Sequence, residues 1–148
     1  MEYISWDSQR RLNYSNLLEQ RARAVTLRAH VLSYVRSTDD LATANQWMCD
    51  YLEAPDCRCL FSLSDAIGLL PSLAPGWEIM WIKKQPPYYR IKLIDKSERN
   101  RGRHTARFVS KHPQVALTVA ILAVHINHLD EQLADIKKPL TNHQNTAI

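Results

Sequence analysis

Residues 77 to 128 constrain the fold of this chain more than any other stretch. Two runs of alternating side chains, Trp77 to Ile82 and Tyr88 to Ile94, are rich in the β-branched and aromatic residues that favour strands. A third short run, Thr105 to Ser110, follows a basic loop, and a helix that is apolar nearly all round starts at Pro113. The pattern predicts a three-stranded antiparallel sheet with one solvated face.

The strand alternation also predicts which side chains share a face. Tyr89, Ile91 and Leu93 alternate with a more polar set, and so do Ala106, Phe108 and Ser110 in the third run. In the first run the same rule groups Trp77, Ile79 and Trp81. The polar set of the second run is Tyr88, Arg90, Lys92 and Ile94.

The part of the chain before residue 74 is predicted to be helical. Residues 8 to 36 contain no Gly or Pro, and apolar side chains recur there at three-to-four-residue intervals, which indicates a long amphipathic helix. A second helix is expected to end at Glu53, with Thr38 or Asp39 as its cap. A short third helix is expected to begin at Ser62 or Ser64 and to be interrupted by Pro71.

The predicted fold class is therefore α+β, with a long N-terminal helix and short helices, a three-stranded antiparallel sheet, and a long C-terminal helix packed on the sheet. We expect a single domain over residues 1–138 and a disordered tail over residues 139–148. Leu129, Leu133 and Ile136 form a stripe on the C-terminal helix. This stripe is expected to pack on the N-terminal helix, with a homodimer through the C-terminal helix as the alternative.

The sequence shows no sign of secretion or membrane insertion. No apolar segment follows the Arg10-Arg11 pair, and the longest apolar run, residues 115–126, is far shorter than the roughly 20 residues that a bilayer span requires. Three cysteines, an odd number, fit reduced thiols better than a disulfide framework. A soluble, cytoplasmic protein without a membrane partner is expected.

Charge is strongly segregated along the chain. Residues 8–37 carry six Arg against Glu19, and residues 38–82 carry seven acids against Arg58. Residues 83–112 then carry ten Lys or Arg against Asp95 and Glu98. Either these segments neutralise each other within the fold, or the last one forms a functional basic face.

The basic loop at residues 96–104 and the strands beside it are the strongest candidates for a binding site. Arg suits phosphate because its planar fork donates two hydrogen bonds at once, and aromatic rings that face outward can stack on bases. The alternative is a solvated hairpin that keeps the sheet edge soluble. The candidate nucleic-acid or partner-binding residues are Lys83, Lys84, Arg90, Lys92, Lys96, Arg99, Asn100, Arg101, Arg103, His104 and Arg107, and the candidates for stacking are Trp81, Tyr88 and Tyr89.

Neither a cofactor nor a metal is predicted. The Cys57-x-Cys59 pair has the wrong spacing for a usual zinc loop, and His125 is as readily explained as a buried, hydrogen-bonded histidine that shares a helix face with His128. An enzyme needs a nucleophile beside a base or a pair of carboxylates, and no such spacing stands out. We expect no catalytic residues.

One stretch resembles a known family. The string Leu60-Phe61-Ser62-Leu63-Ser64-Asp65-Ala66, the Gly76-Trp77 start of a strand, the strand from Tyr88 to Leu93 and the Pro113-led helix rich in Ala and Leu are similar to the ABA-sandwich domain of phages and prophages. The resemblance covers about residues 41–128. It implies an origin in a mobile element and an accessory role, and it brings no catalytic residues.

A winged helix is the alternative fold, because three helices followed by two strands that a basic loop joins is the order of elements in that fold. Its third helix would enter the major groove, yet residues 62–73 contain Asp65 and no Lys or Arg.

Two functions from different classes remain open. The first is a non-catalytic accessory protein that binds DNA, RNA or a nucleoprotein through the basic β-hairpin. The second is an inhibitor or adaptor that docks on a host or defence protein, in the manner of an anti-CRISPR or anti-defence factor. Both use an exposed basic hairpin.

Overall fold

The computed structural model describes residues 6–37, 40–97 and 105–146, with side chains at residues 8–34, 40–97 and 105–136. The predicted α+β class and the predicted order of elements are confirmed. In chain order the elements are α1 (Trp6–Ser37), α2 (Leu41–Leu52), α3 (Leu63–Ile67), α4 (Leu70–Leu73), β1 (Trp77–Gln85), β2 (Tyr88–Asp95), β3 (Thr105–Ser110) and α5 (Pro113–Thr146).

The helix starts follow local capping chemistry, with one correction. Asp40, rather than Thr38 or Asp39, precedes α2, and its carboxylate accepts a hydrogen bond from the Thr43 backbone N–H at 3.2 Å. Thr38 and Asp39 lie outside the described residues. Ser62 caps α3 as expected, since its hydroxyl accepts from the Asp65 N–H at 3.3 Å.

The predicted third helix is divided in two. Gly68 follows α3, which has five residues, and Pro71 lies near the start of α4, which has four. Pro is tolerated in the first turn of a helix, so it begins a new short helix here rather than ending one. The winged-helix alternative requires a continuous recognition helix, and the structure has two short helices in its place.

Helix α5 lies between the N-terminal helix α1 and the sheet. It packs on α1 on one side and on β2 and β3 on the other. Where α5 meets α1, Leu129 and Leu133 are buried and Arg21 forms an ion pair with Asp130. Two residues of the stripe, Leu129 and Leu133, are therefore covered within the chain, and Ile136 is half-buried.

The backbone of α5 is helical as far as Thr146. The disorder expected for residues 139–148 stays a prediction. Side chains after Ile136 lie outside the described residues.

The sheet has the order β1-β2-β3 with both pairings antiparallel. One irregularity changes the faces of β1. Ile79 stands opposite Leu93, but Trp81 stands opposite Lys92, so Met80 is an extra residue in the pairing. Such a bulge reverses the side-chain alternation, and Trp81 therefore does not share a face with Trp77 and Ile79, as simple alternation predicts.

The sheet thus has an inner face, which packs on α5, and an outer face. The strand residues that pack against the core, among those described, all belong to the inner face: Trp77, Ile79, Ile82, Ile91, Leu93, Ala106 and Phe108. They contact a core whose fully buried members include Val115, Val119 and Leu122 of α5. Within the described ranges, no helix has the length and apolar character needed to cross a membrane.

Candidate functional site

The outer face of the sheet brings basic and aromatic side chains together. Residues directly opposite each other in antiparallel strands share a face, so the pairing defines successive rows of side chains. One row is Trp81, Lys92 and Arg107, and the next is Lys83, Arg90 and Val109. Four of these six side chains are positively charged.

The two ends of the outer face differ in character. Toward the β1–β2 turn, Gln85 pairs with Tyr88, whose side chain is 45% exposed. Toward the other end, Glu78, Ile94 and Thr105 form the last row. Glu78 is the one acid among the described residues of the outer face, so positive charge predominates there.

Trp81 lies at the edge strand within this basic surface. The ammonium nitrogen of Lys83 is 4.5 Å from the centroid of its indole ring, a cation–π distance. Lys92 stands across from Trp81 on the neighbouring strand. The ring is therefore partly exposed and borders two positive charges.

Two predicted site residues lie on the other side of the sheet. Tyr89 is paired with Lys84 and with Ser110, positions that alternate with the outer rows. The Lys84 ammonium nitrogen lies 5.8 Å from the Tyr89 ring centroid. Because side chains alternate along a strand, neither Tyr89 nor Lys84 joins Trp81 and Arg90 on the outer face.

The predicted loop residues cannot be assigned to the site. Arg99, Asn100, Arg101, Arg103 and His104 lie outside the described residues. Lys96 is exposed, and its backbone N–H donates to the Gly76 carbonyl at 2.7 Å. Apart from Lys96, the described part of the candidate site therefore consists of strand residues.

The outer face also holds exposed apolar residues that the sequence did not single out as site residues. Met80 is 52% exposed and Val109 is 45% exposed. Met80 is the extra residue of the bulge, and no local sequence signal marks that position. The alternation of β3 places Val109 on the same face as Arg107, and the register with β2 places it opposite Arg90.

Three cysteines, Cys49, Cys57 and Cys59, lie around the buried amide of Asn45. The Asn45 side chain donates to the Cys57 carbonyl at 2.9 Å and accepts from the Leu60 backbone N–H at 3.1 Å. The Cys49 thiol donates to the same Cys57 carbonyl at 3.1 Å. Burial raises the pKa of the Cys49 and Cys59 thiols, with a smaller contribution from Cys57. These contacts hold the α2–α3 connection in place.

No cluster of three or more potential metal ligands occurs in the part of the chain that the structure describes. His125 is buried, and its Nε2 lies 2.7 Å from the Tyr51 hydroxyl oxygen. Desolvation lowers the pKa of His125, and the nearby His128 lowers it further. Burial likewise raises the pKa of Tyr51. His125 is thus the hydrogen-bonded core histidine that the sequence offered as an alternative.

A small cavity of about 350 Å³ lies between the inner face and α5, bordered by Asp95, His128, Asp130 and Glu131. Two of its three carboxylates are already engaged. Asp130 pairs with Arg21, and Asp95 accepts a hydrogen bond from the Ser97 N–H at 2.9 Å.

Comparisons of the chain with known families, proteins and structures found no match, so the site is interpreted from its geometry. No family model matches the chain, no curated protein matches it, and no solved structure matches it. The resemblance to the ABA-sandwich family stays a prediction.

Proposed function

We propose that this protein binds nucleic acid through the outer face of its sheet, as a non-catalytic accessory protein. The observation that carries the proposal is that two pairs of positively charged residues stand at opposed positions of neighbouring strands. Lys83 stands opposite Arg90, and Lys92 stands opposite Arg107. Like charges directly opposite each other destabilise a sheet, so a face built for stability alone would avoid both pairs.

Binding of a polyanion would replace the repulsion between these side chains with attraction to the ligand. Phosphates bound above the outer face would neutralise both members of each pair, and binding would release the counterions condensed on the nucleic acid. Arg90 and Arg107 add the bidentate geometry that suits phosphate oxygens. The role in a phage or other mobile element is proposed on the resemblance alone.

The test is binding of fluorescently labelled DNA and RNA oligonucleotides across a salt series, read by anisotropy. If four phosphates are contacted, the logarithm of the association constant should fall with the logarithm of salt concentration at a slope of about −3. Replacing Lys92 and Arg107 with Gln should make that slope shallower by about 1 to 2 and weaken binding at low salt.

The matched control is the double variant Arg11→Gln, Arg23→Gln. It removes the same amount of charge from exposed positions on α1, a helix that packs on α2 and α5. We expect its salt slope to equal that of the wild type. Absence of binding at low salt, or equal loss in both double variants, would contradict the proposal.

One observation favours a second candidate, docking on a host or defence protein. Met80 and Val109 are exposed apolar side chains beside the basic rows, a combination found in protein interfaces as well. This candidate predicts a stable complex with one protein, weak salt dependence and no affinity for free oligonucleotides. The same anisotropy series separates the two.

A further inference from the structure

We infer that the nucleic acid bound by this face is single-stranded, with bases stacked on Trp81 and Tyr88. The inference rests on the proposed function and specifies its ligand. It depends on the aromatic side chains, whereas the proposed function depends on the basic ones, so the two can fail separately.

The first step of the argument is that both rings are available. The bulge at Met80 turns Trp81 away from the inner face, and Trp81 is not among the residues packed against the core. Tyr88 lies on the same face near the β1–β2 turn and is 45% exposed. The Lys83 ammonium group lies 4.5 Å from the indole centroid, so this flexible side chain covers one face of the ring and has to move aside when a base stacks there.

The second step is the spacing of the rows. Tyr88 lies four residues from Lys92 on β2, which corresponds to about 14 Å along the strand, and Trp81 is at the level of Lys92. The row containing Lys83 and Arg90 lies between the two rings. Aromatic and basic positions thus alternate along the sheet. A single strand laid along β2 presents bases to the rings and phosphates to the cations.

The third step is that a duplex cannot use these rings. Its bases are stacked on each other, and their faces are covered. A duplex therefore cannot stack its bases on Trp81 and Tyr88, and it would contact this face through the basic side chains.

The experiment compares a labelled single strand with the duplex of the same sequence, in DNA and in RNA, at one ionic strength. Stacking and phosphate pairing are common to both kinds of nucleic acid, and the two arms show which is preferred. We expect the single strand to bind at least about tenfold tighter than the duplex, since each stacked base contributes on the order of tenfold. Electrostatics alone predicts the reverse order, because a duplex has the higher charge density.

The double variant Trp81→Thr, Tyr88→Thr should lose about tenfold or more on the single strand and less than about threefold on the duplex. Threonine keeps the strand propensity of both positions. The conservative variant Trp81→Phe should retain most of the single-strand affinity, which separates stacking from an effect on folding. Phe61→Thr is the matched control, because Phe61 is 44% exposed and also has a cation, Arg58, above its ring.

Two results would overturn the inference and leave the proposed function intact: salt-dependent binding with equal affinity for single strands and duplexes, or an equal loss on both in the threonine variant. Loss in the Phe61 variant as large as in the Trp81, Tyr88 variant would also overturn it. No salt-dependent binding to either form would remove the proposed function, and the inference with it.

Discussion

Lys92 stands directly opposite Arg107 in the antiparallel pairing of β2 with β3, so two positively charged side chains are neighbours on the outer face. Their Cβ atoms are expected to be about 5 Å apart, a distance at which like charges repel. This arrangement is unfavourable in the free protein. A negatively charged ligand bound above the two strands would offset the repulsion between the two side chains.

The first prediction is therefore a stability gain at the site. Arg107→Gln should raise the free energy of unfolding by a few tenths of a kcal/mol, up to about 1 kcal/mol at low salt, because one like-charge contact is removed. Urea unfolding at low and at high salt measures it. The gain should shrink as salt screens the repulsion. A loss of stability at low salt would show that Arg107 supports the fold.

The second prediction concerns the Tyr51–His125 hydrogen bond, which joins α2 to α5. Tyr51→Phe should lower the free energy of unfolding by about 1 to 2 kcal/mol, because the buried His125 ring loses a hydrogen-bond partner. Chemical denaturation measures the change. Tyr88→Phe removes the same hydroxyl from an exposed ring and should change stability by less than about 0.5 kcal/mol. Equal effects would contradict the structural role of the pair.

The third prediction is a pH dependence of stability caused by His125. Burial lowers the pKa of His125 in the folded state, while an unfolded histidine titrates near 6.5. Below about pH 6.5 the unfolded chain binds a proton at this residue that the folded chain does not bind. The contribution of His125 to stability is thus fully present above pH 6.5. It decreases as the pH falls below that value, until the folded histidine also protonates.

The variant His125→Gln removes this titration. The free energy of unfolding should be compared with that of the wild type between pH 7.5 and pH 5.5. The difference between the two proteins should become smaller as the pH falls, because only the wild type loses the contribution of a neutral His125. A difference that stays constant over this range would contradict the prediction.

The fourth prediction concerns Asn45, whose side chain satisfies the Cys57 carbonyl and the Leu60 N–H. Asn45→Ala should destabilise the protein by about 1 to 3 kcal/mol, because the Leu60 N–H loses its partner and the Cys57 carbonyl keeps only the Cys49 thiol. Gln46→Ala is the matched control. Gln46 is the next amide in the same helix, its hydrogen bond to Asp50 is exposed, and its removal should cost less than about 0.5 kcal/mol.

Much of the fold is predictable because the elements follow local periodicity. The alternation from Tyr88 to Ile94 predicts the two faces of β2, and Ile91 and Leu93 are fully buried. The absence of Gly and Pro between residues 8 and 36 predicts α1, where Ala24, Leu27 and Val31 are buried. In these cases one local rule is enough.

The site itself depends on information that local rules lack. The bulge at Met80 arises from the register of β1 with β2. It places Trp81 on the outer face, whereas simple alternation predicts that Trp81 shares a face with Ile79. The opposition of Lys92 and Arg107 depends on the β2–β3 register. Tyr51 and His125 are 74 residues apart in the chain, and only the packing of α2 beside α5 brings them together.

The most direct test of the central claim is chemical-shift mapping of the ¹⁵N-labelled protein titrated with a single-stranded oligonucleotide. If the outer face binds nucleic acid, the largest changes should occur along β1 to β3, at Trp81, Lys83, Arg90, Lys92 and Arg107, and in the indole N–H of Trp81. Shifts confined to α1 or α2, or none at low salt, would contradict the claim.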